Sequence, residues 1–252
     1  MNKVIDAEGI VKSFGEAAEQ RNVLDGITVE ISEGEFVSVM GPSGSGKSTL
    51  MFALSGMDNV NFGKVMFDGR DLSNLKDNDL ADIRRTRMGF VFQQPTFLQN
   101  LNILDNIILP SIRDNKKNRS EIILKAKKLM KETGISELED RGIKQVSGGQ
   151  LQRAGICRAL MSNPEIIFGD EPTGALNSKA AEEIMNLFTK INEEGTAIMI
   201  VTHDAKIAAR SERILFMLDG RIVNELQLSK FDGTGMDKRV EIVTGRMLEW
   251  GV

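Results

Sequence analysis

A chain of 252 residues, 41% hydrophobic and 27% charged, carries enough apolar material for a sizeable core, as one large domain or two lobes. Its net charge of −4 argues against a nucleic-acid binder that works by neutralising phosphates. The single cysteine, Cys157, excludes an internal disulfide framework and fits a reducing, cytoplasmic setting.

The first ten residues carry Asp6 and Glu8 and lack the apolar core of a secretory signal. No apolar run approaches the roughly 18 residues that suggest a membrane span, so a membrane role is expected to come through a partner. Val4 to Lys12 reads as a strand, followed by Phe14-Gly15 and a polar stretch to Asn22. Ile27, Val29 and Ile31 alternate with polar residues, as a half-exposed strand does. Glu35 to Met40 is a short apolar run of the buried-strand type.

Gly41-Pro42-Ser43-Gly44-Ser45-Gly46-Lys47-Ser48-Thr49 follows and matches the phosphate-loop pattern G-x-x-x-x-G-K-[ST]. Glycines let the backbone curl so that successive N–H groups point inward at an anion. The helix that starts near Lys47 aims its positive end at the same place. Lys47 can reach the β- and γ-phosphate oxygens and Ser48 can ligate Mg²⁺. Leu50, Met51, Leu54 and Met57 recur at helical spacing, which completes the strand–loop–helix context of the motif.

Lys64 to Phe67 predicts a strand closed by a tight Asp68-Gly69 turn. Asp77 to Arg87 reads as a charged helix, and Met88 to Phe92 as a buried strand that stops before Pro95. From Thr96 to Leu160 the pattern is helical. Ser120 is a candidate cap for a helix with Ile122, Ile123, Ala126, Leu129 and Met130 on one face, and Gly134 closes it. Val146-Ser147-Gly148-Gly149-Gln150 is a second glycine-rich turn opening a helix, suited to an anion or to simple capping by Ser147.

Ile166-Ile167-Phe168 predicts a strand ending in the acids Asp170 and Glu171. Beside a phosphate loop, Asp170 would hold Mg²⁺ through water, and Glu171 would orient and deprotonate an attacking water. Ala181, Ile184, Leu187, Phe188 and Ile191 line a helical face; Ala197 to Val201 and Ile214 to Leu218 are strands. His203, the only histidine, follows the first of these. Leu228 to Val252 is polar and glycine-containing, with no role assigned. The alternation of strands and helices around a phosphate loop implies an α/β fold with a mainly parallel sheet.

Two anion loops are one too many for a single nucleotide, unless the second serves a nucleotide held by another subunit. Five ordered motifs resolve this: the phosphate loop, Gln93 after Val91-Phe92, Val146 to Gln150, Asp170-Glu171, and His203 in Val201-Thr202-His203-Asp204. Over about residues 2–226 the chain resembles the nucleotide-binding subunit of an ATP-binding cassette (ABC) transporter. The resemblance implies one ABC ATPase domain over 1–252, with an N-terminal antiparallel β part. A core lobe would comprise 1–95 and 161–227, an inserted helical lobe 96–160, and a tail 228–252.

It further implies a head-to-tail homodimer, ATP and Mg²⁺ as ligands, and a membrane permease as partner. The protein would be cytoplasmic, peripheral on the inner face of the cell membrane. Ser147 and Gly149, flanked by Gly148 and Gln150, would contact the γ-phosphate bound by the other subunit. Gln93 would touch Mg²⁺ or the attacking water, with Gln94 one residue away; His203 would contact the γ-phosphate. Phe14 stands where the family usually has an adenine-stacking tyrosine, with a plain core residue as the alternative. Asn177 stands where the family usually has Asp.

Several stretches, such as Asn106-Ile107-Ile108-Leu109-Pro110, resemble the lipoprotein-releasing, macrolide-efflux and bacitracin-resistance ATPases. Their substrates would be antimicrobial peptides or lipid-linked molecules. Rival readings are a soluble regulatory or repair ATPase, usually built of tandem cassettes or with a long coiled coil, and an ATPase that drives an extracytoplasmic process without transport. A phosphate-loop GTPase would need N-K-x-D, and Asn115-Lys116-Lys117-Asn118 lacks the final Asp.

Overall fold

Buried apolar runs assemble into two sheets. A computed structural model describes residues 2–15, 21–112 and 118–252; most of the polar stretch before Asn22 and Asn115-Lys116-Lys117 lie outside them. Strands β1 (Lys3–Phe14) and β2 (Arg21–Ser32) pair antiparallel. β3 (Phe36–Met40) leads through the glycine loop into α1 (Lys47–Leu54). β4 (Phe62–Phe67) and β5 (Arg70–Asp71) form a hairpin, and α2 (Asp77–Arg87) precedes β6 (Met88–Phe92). α3 (Ile103–Ile112), α4 (Arg119–Glu132) and α5 (Gly148–Leu160) follow. Then come β7 (Ile166–Asp170), α6 (Ser178–Glu193), β8 (Ala197–Val201), α7 (Ala205–Ala208), β9 (Arg213–Leu218), β10 (Arg221–Gln227) and α8 (Met236–Trp250).

The larger sheet has the order β10-β9-β3-β8-β7-β6, parallel except for β10. Every residue of β3 and β8 is buried. Helices cover both faces of a parallel sheet, so such strands read as continuous apolar runs rather than alternations. The smaller sheet, β2-β1-β4-β5, is antiparallel, and β2 alternates buried and exposed residues. Asp68 (φ 44°) and Gly69 (φ 73°) both lie in the left-handed region, as a two-residue hairpin turn requires.

One core lies between the two sheets around α1, with Phe67 and Phe168 fully buried; a second lies on the other face under α6. Burying a phenylalanine contributes about 2–3 kcal/mol relative to leaving it in water. A third cluster is shared by α3, α4 and α5.

Two expectations change. Met57 lies beyond α1, because Gly56 (φ 62°) turns left-handed and ends the helix. α4 begins at Arg119 with Asn118 at its cap position, so Ser120 sits inside the first turn and caps nothing. β7 runs through Asp170, as the strand ending in two acids predicts. In the tail, to which the sequence assigned no role, Met236, Val240, Val243 and Met247, spaced four, three and four apart, form the inner stripe of α8. That stripe packs with Met40, Ala208, Ile214 and Phe216.

Asn106 pins the start of the helical segment. Fully buried, it donates to the Leu98, Leu101 and Asn102 carbonyls and accepts from the Leu98 N–H. Asn106→Ala strands these groups without partners and is expected to lower stability by about 2–3 kcal/mol, read as a lower urea midpoint.

Candidate active site

Val39, Val201, Asp170 and Phe92 form one row across the neighbouring strands β3, β8, β7 and β6. From this row the chain leaves the sheet: into Gly41 to Thr49, Thr202-His203, Glu171, and Gln93. In open parallel sheets the carboxyl ends of the strands form the ligand crevice.

Backbone packing shapes the phosphate loop. Gly46 has φ 98°, and a Cβ there would meet the Val23 carbonyl at 2.6 Å. A Cβ on Gly41 would collide with the Met217 carbonyl and, at 2.5 Å, with Ser45 Oγ. Pro42, Ser43 and Gly44 are exposed, Thr49 is half-buried, and Lys47 opens α1. Lys47 Nζ donates to the Gly41 and Pro42 carbonyls, both at 2.8 Å, so its ammonium arches over the loop. Burial holds its pKa below the usual lysine value, opposed by the Glu171 and Asp170 carboxylates. Ser45 Oγ is buried without a partner among the described residues.

The two acids have different partners. Ser48 Oγ donates to Asp170 Oδ1 at 2.9 Å. Burial raises the Asp170 pKa, partly offset by that hydroxyl. Glu171 has φ 43°, a left-handed conformation that costs a non-glycine residue about 1–3 kcal/mol. Its N–H donates to the Val201 carbonyl and its carbonyl accepts from Gly174, which holds the strained residue in place. Glu171 Oε1 lies 2.9 Å from His203 Nδ1. A Cβ on Gly174 would stand 2.8 Å from Gln93 Nε2 and 3.2 Å from Glu171 Oε2, so the Gln93 amide and the acid both border this glycine.

A hydroxyl and a carboxylate in contact are an oxygen-only donor pair of the kind Mg²⁺ uses with waters and phosphates. No cage of three or more acidic, histidine or cysteine side chains forms among the described residues.

The second glycine turn stands apart from the first. Ser147 Oγ accepts from the Gln150 N–H and Gln150 Oε1 from the Ser147 N–H, a capping box on α5. The N–H groups of Gly148 and Gly149 then have no partner within the helix. The space beside these glycines is taken by Leu176 and Ala180 at the head of α6, not by the phosphate loop. Asn177 caps α6 by accepting the Ala180 N–H at 2.9 Å.

Phe14 is 49% exposed, which removes the core reading. Lys12 Nζ sits 4.9 Å from its ring centroid and is tied to Asp58 and the Asn59 carbonyl. Lys12 and Gln152, whose amide donates to the Phe92 carbonyl just before Gln93, escaped the motif reading. Their only sequence signal was adjacency to a motif.

A family model described as ABC transporter matches residues 24–174. The chain is 40% identical over 224 residues to the bacitracin export ATP-binding protein BceA of Halalkalibacterium halodurans, covering 88% of each. It is 39% identical over 224 residues to the macrolide export ATP-binding/permease protein MacB of Mannheimia succiniciproducens, spanning 35% of that protein. The dimeric post-hydrolysis structure of the MJ0796 cassette bound to ADP and Pi matches with TM-score 0.81 at 38% identity, over 90% of this chain and all of that one. A glycine loop, acid pair and histidine gathered on one strand row, together with these likenesses, mean that the chain belongs to the ABC transporter family as an ATP-binding cassette.

Proposed function

We propose that this ABC-type ATPase drives an exporter of antimicrobial peptides or lipid-linked substrates. It would sit on the cytoplasmic face of the membrane, held by its permease in the cleft between the helical lobe (96–160) and the core lobe (1–95 and 161–227). The names of the relatives, bacitracin export and macrolide export, support that substrate range. Among the described residues no helix is long and apolar enough to cross a membrane, which fits a permease partner.

One observation supports the mechanism above all: the neighbouring carboxylates are divided, Asp170 to Ser48 of the phosphate loop and Glu171 to His203. Lys47 and the loop N–H groups bind the ATP phosphates. Ser48 and Asp170 would hold Mg²⁺, which neutralises charge on the β- and γ-phosphate oxygens. Glu171 takes the proton of the attacking water as its oxygen bonds to the γ-phosphorus and the ADP oxygen leaves. His203 steadies Glu171 from one side and contacts the γ-phosphate; Gln93 orients the water from the other. Phe14 stacks on adenine. Ser147 and Gly149 complete the site of the partner subunit, a reading supported by Gly149 lying against Ala180 of α6.

Glu171→Gln keeps the shape but cannot accept the proton, so it should bind ATP and hydrolyse it at least about a hundredfold more slowly. Near-normal turnover of the purified variant would take the base role from Glu171. For the aromatic contact, calorimetric titration should find ATP binding weakened by about 1 kcal/mol in Phe14→Ala and almost unchanged in Phe14→Tyr. Equal affinities would leave the ring a structural part only.

The shared site predicts complementation. In a Glu171→Gln background, a chain carrying Lys47→Ala and a chain carrying Ser147→Arg should each fail to dimerise with ATP. Mixed, they retain one intact phosphate loop facing one intact Ser147 turn, and bound ATP stabilises that pair by mass action. Ultracentrifugation should show an ATP-dependent heterodimer, weaker than the parent dimer. A mixture that stays monomeric where the parent protein is dimeric counts against the shared site.

A further inference from the structure

Arg239 is a buried cation with no carboxylate among its described hydrogen-bond partners. It lies in α8, 8% exposed. Nε donates to the Ala209 carbonyl at 2.6 Å and Nη2 to the Ser211 carbonyl at 2.7 Å. Nη1 donates to the Ser229 carbonyl at 2.8 Å. The Phe231 ring centroid is 5.4 Å from the guanidinium carbons of both Arg239 and Arg210. Removing a guanidinium from water is costly, and a cation near the last carbonyls of a helix recovers part of that cost.

These carbonyls belong to a segment that matters. Ala209 is the C-cap of α7, a single turn capped at its other end by Asp204, the neighbour of His203. Ser211 bonds hydroxyl to hydroxyl with Ser38 of β3, the strand that carries the phosphate loop. α8 also packs its inner stripe on Ala208, Ala209 and Met40, the residue before Gly41. α7 alone is too short to hold its own orientation.

We infer that Arg239 is a positioning residue for hydrolysis: by gripping the Ala209 and Ser211 carbonyls it fixes α7, and through α7 the His203 imidazole against Glu171. The inference rests on the reading of His203 given above. Three donor directions from one planar group reach carbonyls that a lysine ammonium, a single point, cannot span together.

His203 is the only histidine in the chain, so its C2–H proton gives one assignable NMR resonance in the full-length protein. Because His203 and Glu171 touch, Glu171→Gln should move that resonance in the parent protein. In Arg239→Ala and Arg239→Lys the resonance should already be displaced, and Glu171→Gln should no longer move it, the signature of a lost coupling. In the same two variants kcat should fall about tenfold while KM for ATP stays within about twofold, since the phosphate loop is carried by β3. Val243→Ala thins the same cluster without touching the carbonyls; it should lower the melting temperature and leave the resonance alone. Should Arg239→Ala not fold, Arg239→Lys carries the test.

An unchanged resonance that still responds to Glu171→Gln in the Arg239 variants overturns the inference. So does an equal displacement in Val243→Ala, which would make Arg239 one packing residue among several. A displaced resonance with unchanged kcat overturns the role in hydrolysis, and with it the reading of His203, while leaving Arg239 as what orients the imidazole.

Discussion

The register of four parallel strands is the constraint on which the site depends. Val39, Val201, Asp170 and Phe92 lie level, so the chain leaves each strand at the same height and delivers Gly41, His203, Glu171 and Gln93 to one crevice. A slip of one residue in any strand would turn its side chains to the opposite face. The buried runs of β3, β7 and β8 resist that slip, because apolar side chains fill the space on both faces. The register is therefore held by core packing, and the chemistry takes its geometry from it.

Within the crevice the chain gives up local stability. Glu171 sits in a left-handed conformation, and Lys47 and Asp170 are buried enough that each is pushed toward its neutral form. These costs are met by neighbours. The Val201 carbonyl and Gly174 N–H hold the Glu171 backbone, while loop carbonyls and the Ser48 hydroxyl hold the two charged groups. A lysine and an acid set apart in this way suit a ligand with many anionic oxygens accompanied by a hard cation.

The second anion loop and the tail extend the site beyond one crevice. Ser147 to Gln150 opens α5 beside Leu176 and Ala180, next to α6. The MJ0796 cassette, which shares 38–40% of its residues with this chain, has been solved as a dimer, and a dimer is where such a surface could meet a second nucleotide. Behind the crevice, α8 closes over Met40 and α7, joining the end of the chain to the two loops where ATP phosphates are expected.

Much of this was legible in the residues alone. Fully buried strands announce themselves as unbroken apolar runs, Asp68-Gly69 as a hairpin turn, and α2 and β6 by their charged and apolar blocks, because each depends on local chemistry. The phosphate loop was legible because curling a backbone round an anion needs glycines at fixed places. The tail helix was hidden: Met236, Val240, Val243 and Met247 keep helical spacing, but charged neighbours and Gly245 dilute the stripe. By itself the sequence determined the buried strands, the glycine loop and the pair of acids. Only the tertiary structure decided that Asp170 goes to Ser48, 122 positions away, and Glu171 to His203, and that Arg239 grips the turn behind them. Local pattern records which face of an element is apolar; which elements become neighbours is decided when strand pairing and core packing close the chain on itself.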